Sequence, residues 1–395
     1  MTPEPYEAQL LETPFHARTS SLCSTRQWGN WSGFASVNAY TSVDMEYFAA
    51  RSTAALFDIS PMTKYAITGS DAASYLNRLL TRNMEKVKPG RVVYAVWCND
   101  AGMVIDDGTV FCLGENDYRL CSQERHLPWL LDSAIGYNVE IKDITSGIAA
   151  LAVQGPTSSA VLKAMGLVGI ENLKPYSLTE FDLDGHSLMV SRTGFTGDLG
   201  YELWIDPGAA ELLWDRLMEV GSLYGLRPMG SEALEMTRIE AGFIQAGVEF
   251  FPGDLPTRPD RLRSPFELGM GWLVDFDKGH FIGRRALLQE KKTGSRYALV
   301  GLDIEGNKPA LHSFVYQGKD TEVGIVASAM WSPTCKRNIA IASLKTPYHK
   351  DNHGLWVDVY VYRELKWERI HASCKVVDKQ FFNPPRRWAT PAGDR

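Results

Sequence analysis

At 395 residues, the chain exceeds what one hydrophobic core organises, and two or three domains are expected. Hydrophobic residues make up 45% and charged residues 22%, a globular composition that excludes wholesale disorder and a fibrous architecture. The 41 Lys and Arg against 47 Asp and Glu leave a net charge of −6 with no basic stripe, which argues against a nucleic-acid partner.

No apolar run approaches the roughly 18 residues of a membrane helix. The acidic start MTPEPYEAQLLE lacks the basic-then-apolar order of a secretory signal. The six cysteines (Cys23, Cys98, Cys112, Cys121, Cys335, Cys374) are scattered without C-x-x-C or metal-ligand spacing. A reducing cytoplasm and no metal are therefore expected.

Taken in chain order, residues 1–45 show little periodicity, and Trp28, Trp31 and Phe34 are expected to dock this arm onto a domain. FDISPMTKYAITG reads as strands. GSDAASYLNRLL reads as a helix with Ser70 as N-cap and Ala72, Tyr75, Leu76, Leu79 and Leu80 on one face. VVYAVWC and MVIDDGTVFCL are strands joined by the turn Asn99-Asp100-Ala101-Gly102. A strand and a helix follow, from YRLCSQ to LPWLLDSAI.

A second unit starts near Gly147 with the strand GIAALAVQG, after which Gly155-Pro156 opens a helix. SLMVSRTGFTGDLGYELWID reads as two strands around a Gly-rich turn, and Asp206-Pro207 starts a helix with Leu213, Leu217 and Val220 buried. Another helix begins at Ser231. FFPGDLPTRPDRLR, residues 250–263, reads as a surface loop, EKKTGSR as a linker, and the chain from Tyr297 onward as a β-rich domain.

Phosphate loops, G-x-G-x-x-G after a strand, G-x-S-x-G and H-E-x-x-H are all absent, and the eight histidines form no ligand pair. What remains is polar residues on strands beside Gly-rich turns. Alternation sends Asp106 and Asp107 to opposite faces, one outward and the other either into a cavity or into a satisfied pair at a sheet edge. Glu202 follows Gly194, Gly197 and Gly200. It either accepts paired N–H bonds from a flat amidine-like edge, as in a pterin or guanine, or pairs with Arg192 or Arg238.

Together, FDISPMTKYAITG, GMVIDDGTVF, ALAVQGP, SRTGFTGDLGYEL, TRIEAGF and SPFELGMGWLVDFDKGHFIGRRAL resemble, in order, the glycine-cleavage T-protein superfamily of tetrahydrofolate-dependent aminomethyltransferases and demethylases. The resemblance covers about Glu46 to Leu288, and more weakly GIVASAMWSPTCKRNIAIASL. It implies an α+β, three-domain cloverleaf around a central folate channel, with a β-rich C-terminal domain. The domains would be a folate-binding unit of residues 46–146 plus 231–290, a second α+β unit of 147–230, and a β-rich unit of 297–395. Tetrahydrofolate is the implied cofactor. Asp106 matches the family aspartate beside the folate N5/N10 edge, and Glu202 the glutamate gripping the pterin. Tyr94 and Phe195 match aromatic positions of the folate pocket, where Phe195 lacks a hydroxyl, and Gln154 opens the helix beside the site.

The departures direct the functional reading. Leu234 stands where the family's A-R-D-x-L-R-x-E-A places its first arginine, and Pro61 replaces the histidine of DVSHM. Both argue against a lipoyl carrier protein as partner. Lys278 to Arg284 lacks the cysteine of the iron–sulfur maturation branch.

The implied function is a demethylase giving 5-methyl-tetrahydrofolate. The favoured donor is an aromatic methyl ether, a methoxybenzoate-like acid, aligned for in-line attack. Asp106 and Tyr94 would be catalytic, and Trp28, Trp31 and Trp97 would hold the donor. Arg258, Arg261 or Arg263 would meet its carboxylate. The alternatives are a methyl sulfonium or methylated-amine donor, glycine-cleavage aminomethyl transfer, and a non-catalytic folate-binding factor.

Overall fold

The computed structural model describes residues 9–254, 258–318, 320–350 and 354–391. Its architecture is α+β, three large sheets and a two-stranded hairpin with helices packed between and behind them, and the third large sheet is a closed barrel.

The first sheet orders its strands Arg91–Cys98, Val104–Gly114, Asp117–Ser122, Thr63–Thr68 and Glu140–Asp143, all antiparallel. Tyr65, Leu76, Leu79, Trp97 and Val110 fill the core behind it. The helix Ala72–Leu79 packs there, but Asp71 rather than Ser70 precedes its first turn, and no side chain caps it. Both polar groups are engaged elsewhere: the Ser70 hydroxyl accepts from Asn138 Nδ2, and the Asp71 carboxylate accepts from the Asn138 N–H.

The second sheet runs Leu178–Leu183, His186–Ser191, Gly200–Ile205, Ala149–Gln154, Ala54–Asp58 and Leu226–Pro228. The strand Ala54–Asp58, expected with the unit of residues 46–146, lies instead in this second sheet. It pairs with Ala149–Gln154 on one side and Leu226–Pro228 on the other. Ala54 to Phe57 are all buried. Its two faces are covered by different cores, Ala54 and Leu56 on one side and Ala55 and Phe57 on the other, which is why the run is apolar without alternation. The tight bend Ile59–Met62 then carries the chain across to the first sheet. Phe57, Phe111, Ala152 and Trp204 form a shared core where the two sheets meet.

The barrel closes in the order Tyr297–Ile304, Arg337–Lys345, Thr321–Ser332, Phe314–Gln317, Leu355–Arg363 and Lys366–Val377. Leu302, Val326, Ala342, Val357 and Val359 fill it. The N-terminal arm folds into the short helix His16–Leu22 and a hairpin, Gln27–Trp31 with Phe34–Ala39. Phe15 packs into the core of the second sheet and Trp31 against Phe57 and its neighbours, which docks the arm, while Val37 packs within it on Cys23, Tyr40 and Trp28.

At the junction of the three parts, the guanidinium of Arg51 donates to the Glu240 carboxylate and to the carbonyls of Thr196 and Thr237. Glu240 also accepts from Tyr47 and from Ser332 of the barrel. This buried ion pair joins the helix Val43–Ser52, the helix Ser231–Ala241, the Gly-rich turn and the barrel.

The described residues include no helix long and apolar enough to cross a membrane, and no group of three His, Cys, Asp or Glu placed to hold a metal ion.

Candidate functional site

A cavity of about 1090 Å³ opens between the sheets, the N-terminal hairpin, the helix Ser231–Ala241 and the segment 379–388. That volume lies at the upper end of small-molecule sites, enough for a cofactor of folate size beside a small donor.

On the strand pair Arg91–Cys98 and Val104–Gly114, register decides which carboxylate reaches the cavity. Tyr94 pairs with Thr109 and Val96 with Asp107, so Tyr94 and Asp107 share the cavity face. The Tyr94 hydroxyl donates to Asp107 Oδ2 at 2.6 Å. Desolvation, and then the charge of Asp106, push the Asp107 carboxyl up to about 8, with the Tyr94 hydrogen bond pulling the other way. Burial and the Asp107 charge hold the Tyr94 phenol well above its ordinary value.

Asp106 therefore does not occupy the place expected of it. Trp97 pairs with Asp106 on the opposite face, and both are fully buried away from the cavity. Asp106 does not face solvent either, since Oδ2 accepts from the Glu124 N–H and lies 2.9 Å from His126 Nε2. The same parity removes Trp97 from the donor site, where it packs in the core behind the sheet, edge-on to His126. Trp28 is likewise corrected. It packs with Cys23, Val37 and Tyr40 under the hairpin and stacks near His16. Alternation along Gln27–Trp31 sends Trp31 instead into the cavity wall, where it stacks on Phe57 at 5.9 Å.

Glu202 lies in the cavity wall on the strand Gly200–Ile205. Desolvation pushes its carboxyl up to about 7, against the hydrogen bond that Thr193 Oγ1 donates at 2.5 Å. Its expected alternatives fall away: Arg192 donates to backbone carbonyls of Leu173, Arg387 and Ala389, and Arg238 pairs with Glu235 and Glu249.

Gln154 also lines the wall, but its amide is spent on the turn above. It donates to the carbonyls of Thr193 and Tyr201 and accepts from Thr196 Oγ1. A Cβ at Gly194 or Gly200 would sit 2.0 or 2.3 Å from that side chain, which is why glycines close the turn over it. Phe195 stacks on Phe243 in the same wall.

Sequence reading missed Trp272, Arg82, Arg387 and Trp388 in the wall. Trp272 lies 6.4 Å from Tyr94, ring to ring. Arg387 and Trp388 come from the tail, whose carbonyls Arg192 holds. Nothing local marks them, because their place is set by how the tail crosses the second sheet. Asp107 did carry a signal, since it shares strand parity with the expected pocket residue Tyr94 across the turn at Asn99–Gly102.

The Pro/Arg loop does not supply the expected cation. Arg263 is buried, donating to Ser343 Oγ and to the Asp260 and Leu262 carbonyls, with its guanidinium 4.0 Å over Tyr297. Arg261 donates to the Val248 carbonyl and Arg258 is exposed; none of the three lines the cavity. Residues 255–257 of this loop lie outside the described residues.

A two-sheet body with a carboxylate-lined cavity between its sheets, followed by a closed barrel, is the arrangement of the folate-dependent aminomethyltransferase class. Residues 17–278 match the GCVT N-terminal domain, and residues 298–382 the glycine cleavage T-protein C-terminal barrel domain. The chain belongs to this glycine-cleavage T-protein family, whose cofactor is tetrahydrofolate.

The chain is 35% identical over 326 residues to an aminomethyltransferase of Halothermothrix orenii, covering 82% of this chain and 88% of that one. It is also 35% identical over 364 residues to a trimethylamine-oxide aldolase of Ruegeria pomeroyi, covering 88% of this chain but 45% of that one. The crystal structure of the glycine cleavage system aminomethyltransferase T from Bartonella henselae shares the fold, with a TM-score of 0.82 at 23% identity, over 95% of this chain and 99% of that one.

The cavity residues fit tetrahydrofolate. A pterin presents an amino group and a ring N–H side by side, and Glu202 offers an acceptor carboxyl from the wall. Phe195, Phe243, Tyr176 and Trp388 give flat apolar surface for the rest of the molecule.

Proposed function

We propose that the chain moves a one-carbon unit from a small amine-type donor to tetrahydrofolate, with Asp107, held by the Tyr94 hydroxyl, exchanging a proton with the amine. The observation that carries this reading is the Asp107–Tyr94 pair in the cavity wall, at 2.6 Å. Asp107 titrates near 8, so at neutral pH it holds a proton that a departing amine can take. Once ionised it holds an ammonium, with Tyr94 and Trp272 as aromatic walls.

When bound, tetrahydrofolate supplies N5 as the acceptor. Glu202 grips the pterin, and Trp31 with Phe57 walls the donor side. Tyr94 does not serve as a free acid for a departing phenolate, because its proton is directed at Asp107.

Two of the relatives bear names that concern carbon carried on nitrogen, an aminomethyl group and trimethylamine oxide. The aromatic methyl ether loses the support expected from Arg258, Arg261 and Arg263, none of which lines the cavity, whereas Arg82, Arg91 and Arg387 do. A small methylated amine remains the preferred donor over an aminomethyl-lipoyl carrier, given Leu234 in place of the family arginine. Leu234 lines the cavity.

The test is mass-spectrometric detection of folate products after incubation with tetrahydrofolate and single donors: methylated amines, an aminomethyl-lipoyl carrier, a methyl sulfonium acid and methoxybenzoates. Product from a methylated amine is expected. Product from methoxybenzoate alone would restore the ether reading, and product from the lipoyl carrier alone would return the chain to glycine cleavage. Folate binding without turnover on any donor would mark a binding factor.

Glu202 makes tetrahydrofolate binding pH-dependent in this reading. Ionised Glu202 is the acceptor form, and it titrates near 7 in the free protein. Affinity should rise up to about tenfold between pH 6 and pH 8 as the carboxyl ionises. The Glu202→Gln variant should bind more weakly and lose that slope in calorimetric titration. An unchanged slope would remove Glu202 from the pterin site.

A further inference from the structure

Behind Asp107, on the far face of the same sheet, lies a line of polar groups that the cavity chemistry does not use directly. Asp106 Oδ1 accepts the Asp107 backbone N–H at 2.8 Å, and Oδ2 lies 2.9 Å from His126 Nε2. The other ring nitrogen of His126 lies 3.7 Å from Asp254 Oδ2. His126 and Asp106 are buried, their side chains 4% and 1% exposed, whereas Asp254 is 25% exposed. The strand Thr63–Thr68 fixes the main chain of the histidine, since the Tyr65 hydroxyl accepts the His126 backbone N–H at 2.7 Å, and Trp97 packs edge-on against the imidazole.

We infer that His126, held between Asp106 and Asp254, is a positioning residue that sets the protonation state of Asp107 through Asp106. Asp106 is the nearer charge to Asp107, bonded to its main chain, and an unbalanced negative charge there opposes ionisation of Asp107. A protonated His126 balances that charge and lets Asp107 ionise; a neutral His126 leaves it unbalanced.

The groups around each member agree with this. His126 faces Asp106, Asp254 and Glu124. Burial disfavours its charge, but the Asp106 hydrogen bond and these negative charges outweigh burial and raise its pKa above the ordinary value. Asp107 faces Tyr94 and Asp106, with Glu249 and Lys379 further off. Among these only the Asp106–His126 pair lies behind the sheet, out of reach of a cavity ligand. It therefore adjusts the carboxyl without competing for the substrate.

The functional meaning rests on the role proposed for Asp107, but the test does not. Infrared difference titration of the ligand-free protein reads the Asp107 carboxyl as the band lost in Asp107→Asn. His126→Gln keeps a hydrogen-bonding group and removes the charge, and should move that titration upward by about one unit. Asp106→Asn removes the nearer negative charge and should move it downward. Shifts of opposite sign are expected; no shift, or both in the same direction, overturns the inference.

Should His126→Gln not fold, the reciprocal measurement decides. Coupling between two groups acts equally on both, so above the Asp107 titration, where its carboxylate is ionised, Asp107→Asn must lower the protonated fraction of His126, read from its ring proton resonances. An unmoved His126 also overturns the inference. Opposite infrared shifts in a protein that transfers nothing from any donor would retain this device and remove the proposed function.

Discussion

Replacing Asp107 with asparagine is expected to lower one-carbon transfer by about 10³-fold, with tetrahydrofolate affinity changed only a few-fold. Asparagine keeps the shape and still meets the Tyr94 hydroxyl, but it neither gives nor takes a proton. Single-turnover measurement with the active donor, beside a binding titration, separates the two effects.

Stability should move the other way. The folded chain holds the Asp107 proton up to about pH 8, whereas an unfolded aspartate releases it near about pH 4. Between those values the unfolded state binds fewer protons, so this group makes the fold lose stability as pH rises through that window. Asp107→Asn removes that loss, and its melting temperature at pH 8 should lie at or above that of the parent. A variant that is both inactive and strongly destabilised would point to a structural role. The matching Asp106→Asn change acts from behind the sheet and should disturb transfer far less, as a change in pH profile.

The second large effect concerns folding. Replacing Arg51 with methionine is expected to cost about 3–5 kcal/mol, seen as a lower midpoint in urea denaturation. Arg51 and Glu240 have side chains 3% and 0% exposed and lie 2.7 Å apart. Removing the guanidinium strands a buried carboxylate and leaves the carbonyls of Thr196 and Thr237 without that donor. The guanidinium also lies 4.3 Å over the Phe382 ring, so the tail beside the cavity loosens with it. The double change Arg51→Met, Glu240→Gln should recover part of the loss, because no buried charge is then left alone. Equal destabilisation in the single and double variants would show that packing rather than charge holds the junction.

Local sequence carried most of the secondary structure. The Gly102 turn between two apolar strands, the Gly-rich turn before Glu202 and the Pro207 start of a helix each express a backbone or hydrogen-bonding preference of a few residues. Long-range pairing is where reading failed. Ala54 to Phe57 are all apolar, with no periodicity to say which sheet the strand completes; its partners lie about 95 and 170 residues away along the chain. Ser70 had the chemistry of a cap, but Asn138 from a distant turn claims it.

The site divides along the same line. Which residue types face one another across a strand pair follows from a period of two, so the sequence by itself determined that Asp106 and Asp107 part company and that Trp97 goes with one of them. It also determined the family, through six segments in order. Which face becomes the cavity was decided only by the tertiary structure, because burial depends on what packs against each side of the sheet. That packing sent Asp106 to His126 and Asp107 to Tyr94, drew Trp31 into the wall while Trp28 sank beneath the hairpin, and laid the tail's Arg387 over Phe243 and Trp388 against Tyr176.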